Sequence, residues 1–117
     1  TKPITMVVPF AAGGPTDKVA RDLAEAMRKQ LNNATIVIDN VGGAGGTLGA
    51  TKVARAAPDG YTVLVHHIGM STSPALYRNM AYKTLEDFEY LGMINDVPMT
   101  LIGKPTLPAN TYPELMK

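Results

Sequence analysis

Cysteine is absent from the 117 residues. That excludes disulfide bridges and cysteine-ligated metal, and it leaves the compartment open, because extracytoplasmic proteins also fold without disulfides. No apolar run approaches the roughly 20 residues needed to cross a bilayer, so direct membrane insertion is not expected. Charge of one sign is lacking as well. Eleven lysines and arginines stand against ten acids, a formal net charge of +1, which gives neither nucleic acid nor an acidic membrane surface a reason to bind. The segment from Thr1 to Pro3 carries no charged leader region before the first apolar strand, so any signal peptide is expected to have been removed already or never to have existed.

What is present suits a packed α/β unit. Hydrophobic residues make up 45% and charged residues 18% of the chain, enough for one core and too short for two domains. Ile4 to Val8 reads as a buried strand closed by Pro9. After the loop Phe10 to Asp17, the residues Val19, Ala20, Leu23, Met27 and Leu31 recur at helical spacing, with Arg21, Asp22, Glu25, Arg28 and Lys29 on the other face. Asn32-Asn33 ends this helix. Thr35 to Ile38 is a second strand ending at Asp39-Asn40. A second glycine loop, Val41 to Thr47, leads to an alanine-rich helix over Leu48 to Ala57. The turn Pro58-Asp59-Gly60 then opens a third strand, Tyr61 to Val65, which runs into His66-His67. Alternation of this kind predicts the α/β class, with a parallel sheet flanked by helices and right-handed crossovers. Further on, Ser73-Pro74 predicts a short helix through Tyr77 with serine as N-cap. Thr84 to Asp87 predicts a helical turn, and Glu89 to Met93 and Met99 to Ile102 predict short strands. Lys104 to Asn110, with two prolines, reads as a connector. Thr111-Tyr112-Pro113-Glu114 is a capping box opening a helix that has room for barely one turn before Lys117. A chain is seldom expected to close by starting a helix, so this one reads as part of a longer protein.

Ligands of open parallel sheets bind beyond the carboxyl ends of the strands. Three segments fall there: Phe10 to Asp17, Val41 to Thr47 and His66 to Ser73. The first two bring glycines to a helix N-terminus, where unpaired N–H groups and the positive end of the helix dipole favour an anion. A single such loop often makes only a tight turn; two on adjacent strand ends weigh towards binding. No register of Gly42, Gly43, Gly45, Gly46 and Gly49 gives the dinucleotide fingerprint, and the phosphate loop with its lysine is missing. Asp39 mimics the ribose-binding acid of a nucleotide fold, so a nucleotide-using enzyme of doubly wound type stays as the alternative. With no lysine or arginine in the loops before Lys18, recognition rests on neutral donors, which suits a carboxylate better than a polyphosphate.

Acid–base chemistry has few candidates. Asp17 reads first as a helix-start residue and Asp39 as a turn former beside Asn40. Adjacent histidines on a strand point to opposite faces, so at most one of His66 and His67 is expected to face a given site, either donating to a ligand carboxylate or simply packing. A metal would need a further ligand at suitable spacing. Ser71 and Thr72 offer hydroxyls. Phe10 either covers the apolar part of a ligand or packs under its loop. Neither a catalytic residue nor a cofactor is expected.

Taken in order, Val8-Pro9-Phe10-Ala11-Ala12-Gly13-Gly14-Pro15-Thr16-Asp17, Asp39-Asn40 before Gly43-Ala44-Gly45-Gly46, and Ala57-Pro58-Asp59-Gly60-Tyr61-Thr62 resemble the Bug-type extracytoplasmic solute receptors of tripartite tricarboxylate transporters. Ser73-Pro74-Ala75-Leu76-Tyr77 and Asp87-Phe88 fit the same pattern. The resemblance implies a periplasmic, non-enzymatic binding protein of two α/β lobes that closes around a small carboxylate and hands it to membrane transporter subunits, or presents its bound state to a signalling partner. It implies that the first two loops hold one carboxylate of the ligand, partly through water. By motif, the residues carried over are Phe10, Ala12, Gly13 and Asp17, then Gly43, Ala44 and Gly45. The third-loop residues His66, His67, Ser71 and Thr72 are added from the reading of the chain itself. Two departures stand out. Val41-Gly42 replaces the usual Arg-Pro, and the paired histidines stand where small or hydroxyl residues are usual. The longer family chain implies that residues 1–103 form the opening part of lobe one, and 104–117 the connector and the start of a helix leading to the second lobe. Strands left uncovered by such a truncation are expected to make the fragment self-associate.

Overall fold

The computed structural model describes residues 2–117. Three parallel strands form the sheet: β1 (Ile4–Val8), β2 (Ile36–Asn40) and β3 (Thr62–Leu64), in the order β2-β1-β3. Ile4 stands opposite Ile36 and Val8 opposite Asn40; Thr5 stands opposite Thr62 and Val7 opposite Leu64. The chain steps from β1 to β2 on one side and then crosses back over β1 to reach β3. Right-handed crossovers in opposite directions put the two connecting helices on opposite faces of the sheet.

Side-chain alternation along β1 supplies both faces. Met6 and Val8 pack with Ala20 and Ala24 of helix α1 (Pro15–Gln30), together with Ile36 and Val65. Ala50 of helix α2 (Thr47–Ala54) packs on the other side with Met70 and Tyr82, and Leu64 and Phe88 lean on that cluster. Small residues at the contact points let the helices lie close. Gly49 is the sharpest case: a methyl group there would stand 2.7 Å from Cβ and 2.8 Å from Cα of Pro9, and 2.8 Å from the Val41 carbonyl. It is the absence of a side chain at Gly49 that seats α2 on the carboxyl end of β1.

Most element boundaries match the sequence pattern, and the differences have physical causes. Helix α1 begins at Pro15, where the missing proline N–H costs nothing, and ends at Gln30 with Leu31 as its C-cap; Asn32 and Asn33 then turn left-handed. Helix α2 stops at Ala54, three residues short of the expected end, because Ala57 precedes a proline and is pushed out of the helical region. Ser73 is not an N-cap. Helix α3 (Gly69–Leu76) starts a turn earlier and takes Ser73 into its interior, buried, with its hydroxyl donating to the Gly69 carbonyl. Thr84 to Asp87 forms a single turn, held by the Asp87 carboxylate accepting from the Lys83 N–H at 2.7 Å.

The strands expected at 89–93 and 99–102 do not form. Their apolar residues have no ladder partner, and the segment runs as an exposed arm. Connector 104–110 is irregular, as its prolines dictate. Helix α4 (Tyr112–Leu115) is capped by Thr111, whose hydroxyl accepts from the Glu114 N–H, while the Glu114 carboxylate reaches back to the N–H of Asn110. Among the described residues no helix is long and apolar enough to cross a membrane.

Candidate functional site

The three loops converge at the carboxyl end of the sheet. β1 is flanked on both sides, so this end is the point where the chain's winding reverses, the usual place for a ligand. Asn40, the last residue of β2, donates from its amide to the Phe10 carbonyl at 3.2 Å and to Asp17 Oδ1 at 2.9 Å. One side chain thus pins the first loop to the root of the second. The Val41 N–H adds a bond to the Val8 carbonyl at 2.9 Å.

Asp17 is buried at the start of α1, 2% exposed. Its Oδ2 accepts from Arg21 Nε at 2.9 Å and from the Gly13 N–H at 2.8 Å. These two donors, with Asn40, hold its carboxyl well below the usual range against the opposing effect of burial. Both carboxylate oxygens are engaged within the chain, Oδ2 twice and Oδ1 once. Asp17 therefore shapes the first loop, and it also occupies the Gly13 N–H. The N–H groups of Phe10, Ala11 and Ala12 make no hydrogen bond with the other described residues. Ala12 and Gly13 border a shallow depression shared with Lys18, Arg21 and Asp22.

In the second loop, Gly43, Ala44, Gly45 and Gly46 all take positive φ. Three glycines in four let the backbone hold this left-handed turn and deliver it to the start of α2, where unpaired N–H groups favour an anion. The N–H groups of Ala44 and Gly45 find no partner among the described residues. Gly46 is the tight point: a methyl group there would stand 2.8 Å from His66 Nε2 and 3.1 Å from the Phe10 ring. The Tyr77 hydroxyl lies over Gly45, 2.6 Å from where a Cβ would sit.

The histidine expectation needs correction. β3 ends at Leu64, so strand alternation no longer governs residues 66 and 67, and both rings reach Phe10. His67 stacks on it with centroids 4.4 Å apart, and His66 meets it edge-on at 5.4 Å. Burial, with nearby His67 adding to it, pushes His66 down from 6.5 to about 4, so it is neutral at physiological pH. Ser71 and Thr72 sit one turn into α3, exposed, with hydroxyls donating to the Ile68 and Gly69 carbonyls. Phe10 packs against the α1-side core and against both histidine rings.

Sequence reasoning assigned Asp39 to a turn, or to a nucleotide ribose. It lies instead within β2, turned towards α2, with Oδ2 2.6 Å from Lys52 Nζ. Asn40, Arg21 and Tyr77 were missed. Arg21 had a signal, being four residues beyond Asp17 on one helix face. Asn40 and Tyr77 had none strong enough, because their partners are distant in sequence.

Comparison with known proteins now decides the class. A family model described as "Tripartite tricarboxylate transporter family receptor" matches residues 19–117. The chain belongs to this receptor family. It is 50% identical over 116 residues to a UPF0065 protein of Agrobacterium vitis, covering 99% of this chain and 33% of that one. The structure of the periplasmic binding protein BugD matches with a TM-score of 0.80 and 57% identity over 97% of this chain and 38% of that one. MatC from Rhodopseudomonas palustris, solved with bound malate, matches with a TM-score of 0.68 and 51% identity over 73% of this chain and 29% of its own. The receptor chain described here thus spans about a third of the length of these relatives. The family and its matched structures are solute-binding proteins, not enzymes, and the Bug-type resemblance and the parallel α/β fold hold.

Proposed function

We propose that this receptor chain is the opening part of a periplasmic protein that captures a small carboxylate and delivers it to a tripartite tricarboxylate-type transporter. The observation that carries the reading is the pair of loops on adjacent strand ends, in which the N–H groups of Phe10, Ala11 and Ala12 and those of Ala44 and Gly45 have no hydrogen-bond partner among the described residues. Donors held rigid before the ligand arrives bind a carboxylate without the cost of ordering them. The malate held by MatC supports the ligand class. The nucleotide alternative loses its main residue, since Asp39 is committed to Lys52.

In this reading residues 1–103 belong to the first lobe and 104–117 lead towards a second. A hinge motion closes the two around the ligand. The Asp17, Asn40 and Arg21 network holds the first loop in its binding shape, with Gly43, Ala44 and Gly45 opposite. The outer edges of β2 and β3 favour pairing with a second copy when the chain is isolated. Calorimetry of the full-length protein against dicarboxylates, tricarboxylates and aromatic acids tests the reading. Saturable binding of at least one, weakened about tenfold or more by Gly46→Val, is the expected result. Silence across the panel overturns it.

A further inference from the structure

Asp17 works against the loop it shapes. Its carboxylate is 2% exposed and stands in the first turn of α1, directly behind the N–H groups assigned to a ligand carboxylate. A helix N-terminus is worth roughly half a positive charge. A full negative charge in that turn more than cancels it and opposes an anion at the loop. The separation is short. The Gly13 N–H donates to Asp17 Oδ2 at 2.8 Å, and Ala12 is the next residue, so a ligand oxygen on the Ala12 N–H stands within about 9 Å of the carboxylate. At such a range an unbalanced unit charge changes affinity by several-fold to tens of fold.

Arg21 removes the conflict. It stands one turn along α1, with Nε 2.9 Å from Oδ2, and among the described residues it is the only cation in contact with that carboxylate. Gly13 and Asn40 also donate to Asp17, but neither brings a charge. Other charged groups around the start of α1 are offset by partners of their own. Lys18 and Asp22 border the same depression and lie 3.9 Å apart. Strand β1 carries no charged side chain. From β2, Asp39 is tied to Lys52. The third loop contributes His66 and His67, both set against the Phe10 ring.

We infer that Arg21 is a charge-balancing positioning residue: as a neutral unit with Asp17, it lets a buried carboxylate shape the first loop without repelling the carboxylate that the loop binds. This rests on the carboxylate reading above and deepens it. Arg21 acts through Asp17 and has no need to touch the ligand. Asp17 alone would fix the loop through Gly13 and Asn40 while weakening what the loop holds. The ion pair keeps the shape and cancels the field.

The test is calorimetry on the full-length protein with succinate, citrate and benzoate. Arg21→Gln keeps a side-chain N–H within reach of Asp17 and removes the charge. At about pH 8 it is expected to weaken every acid that binds the wild type by about tenfold. Arg21→Lys keeps the charge and is expected to recover most of that loss. Lys29→Gln removes the same charge from the far end of α1 and is expected to stay within about twofold of wild type. Lowering the pH from about 8 to about 4.5 is expected to narrow the Arg21→Gln deficit at least about threefold, because a buried carboxyl without its guanidinium takes up a proton more readily. Protonation of the acid itself cancels in the ratio of variant to wild type. If Arg21→Gln does not fold, the double variant Asp17→Asn with Arg21→Gln, which leaves no charge buried, takes its place and must bind within about threefold of wild type. Arg21→Gln binding like wild type, Arg21→Lys doing no better, Lys29→Gln losing as much, a deficit unmoved by pH, or a tenfold loss in the double variant would each overturn the inference. In all those cases the wild type still binds, so the carboxylate reading survives and the charge balance fails. If none of the three acids binds the wild type, both fall.

Discussion

The sheet with its loops, residues 4–77, and the arm that follows, residues 89–103, are both rich in apolar residues and have opposite fates. In the first, Met6, Val7, Val8, Ala20 and Ala50 are essentially inaccessible to solvent. In the second, Leu91, Met93, Met99 and Ile102 are 83%, 86%, 75% and 88% exposed. The chain as a whole has a radius of gyration of 17.1 Å, against about 13 Å for a compact chain of ~100 residues. The arm is at least as apolar as the sheet; what decides its fate is whether a partner surface exists. β1 has a strand on each side and a helix on each face, whereas the arm has none of the four. Apolar residues stabilise only where something removes them from water.

Substitutions break the comparison most directly at its deepest point. Met6→Ala removes a buried side chain from the α1-side core, with an expected loss of about 2–5 kcal/mol, readable as a lower denaturant midpoint. Met93→Ser in the arm is expected to change stability by less than about 0.5 kcal/mol; equal losses at both positions would erase the distinction. Next comes Gly49→Ala. Its methyl group meets backbone atoms, which costs about 1–3 kcal/mol of overpacking, partly offset by the roughly 1 kcal/mol that alanine gains in a helix. A net loss in thermal stability is expected, and a net gain would show that α2 can shift away from Pro9.

Protonation tests the site end of the same region. The carboxyl of Asp17 is depressed from its ordinary 3.8 and the imidazole of His66 from 6.5 to about 4. Both therefore bind protons more readily in the unfolded chain. The contribution of His66 is complete above about pH 6.5 and is lost as pH falls towards 4; that of Asp17 is lost only below about 4. Melting temperature is expected to fall by a few degrees between pH 7 and 4.5, and His66→Leu is expected to flatten that fall. An unchanged slope in the variant would show that other groups cause it. The smallest effect belongs to α4. Thr111→Ala removes the cap of a single exposed turn, a loss of about 0.5–2 kcal/mol for that turn alone, visible as faster amide exchange at Glu114 with no change in the cooperative transition.

The strands, the first two helices and the three loops were legible because each rests on a short-range signal: apolar runs, 3.6-residue spacing, proline and glycine at turns. The reading weakened where structure depended on a remote partner. Ser73 looks like an N-cap beside Pro74, yet α3 starts at Gly69, whose N–H is taken by the His67 imidazole. Residues 89–93 and 99–102 have the composition of strands, and a strand forms only beside another. At the site, the glycine loops were visible in sequence, but Asn40 was not, because the carbonyl and carboxylate it joins lie 30 and 23 residues away.

The sequence alone determined the parallel α/β class, the anion-suited loops and the family, since all three are written in local order and spacing. Tertiary structure alone decided what each polar group is spent on. It turned Asp17 inwards to hold the first loop and paired Asp39 with Lys52. It also swung both histidines onto Phe10 once β3 had ended. The physical reason is that a hydrogen bond extends over about 3 Å, and a linear sequence does not say which distant groups come that close.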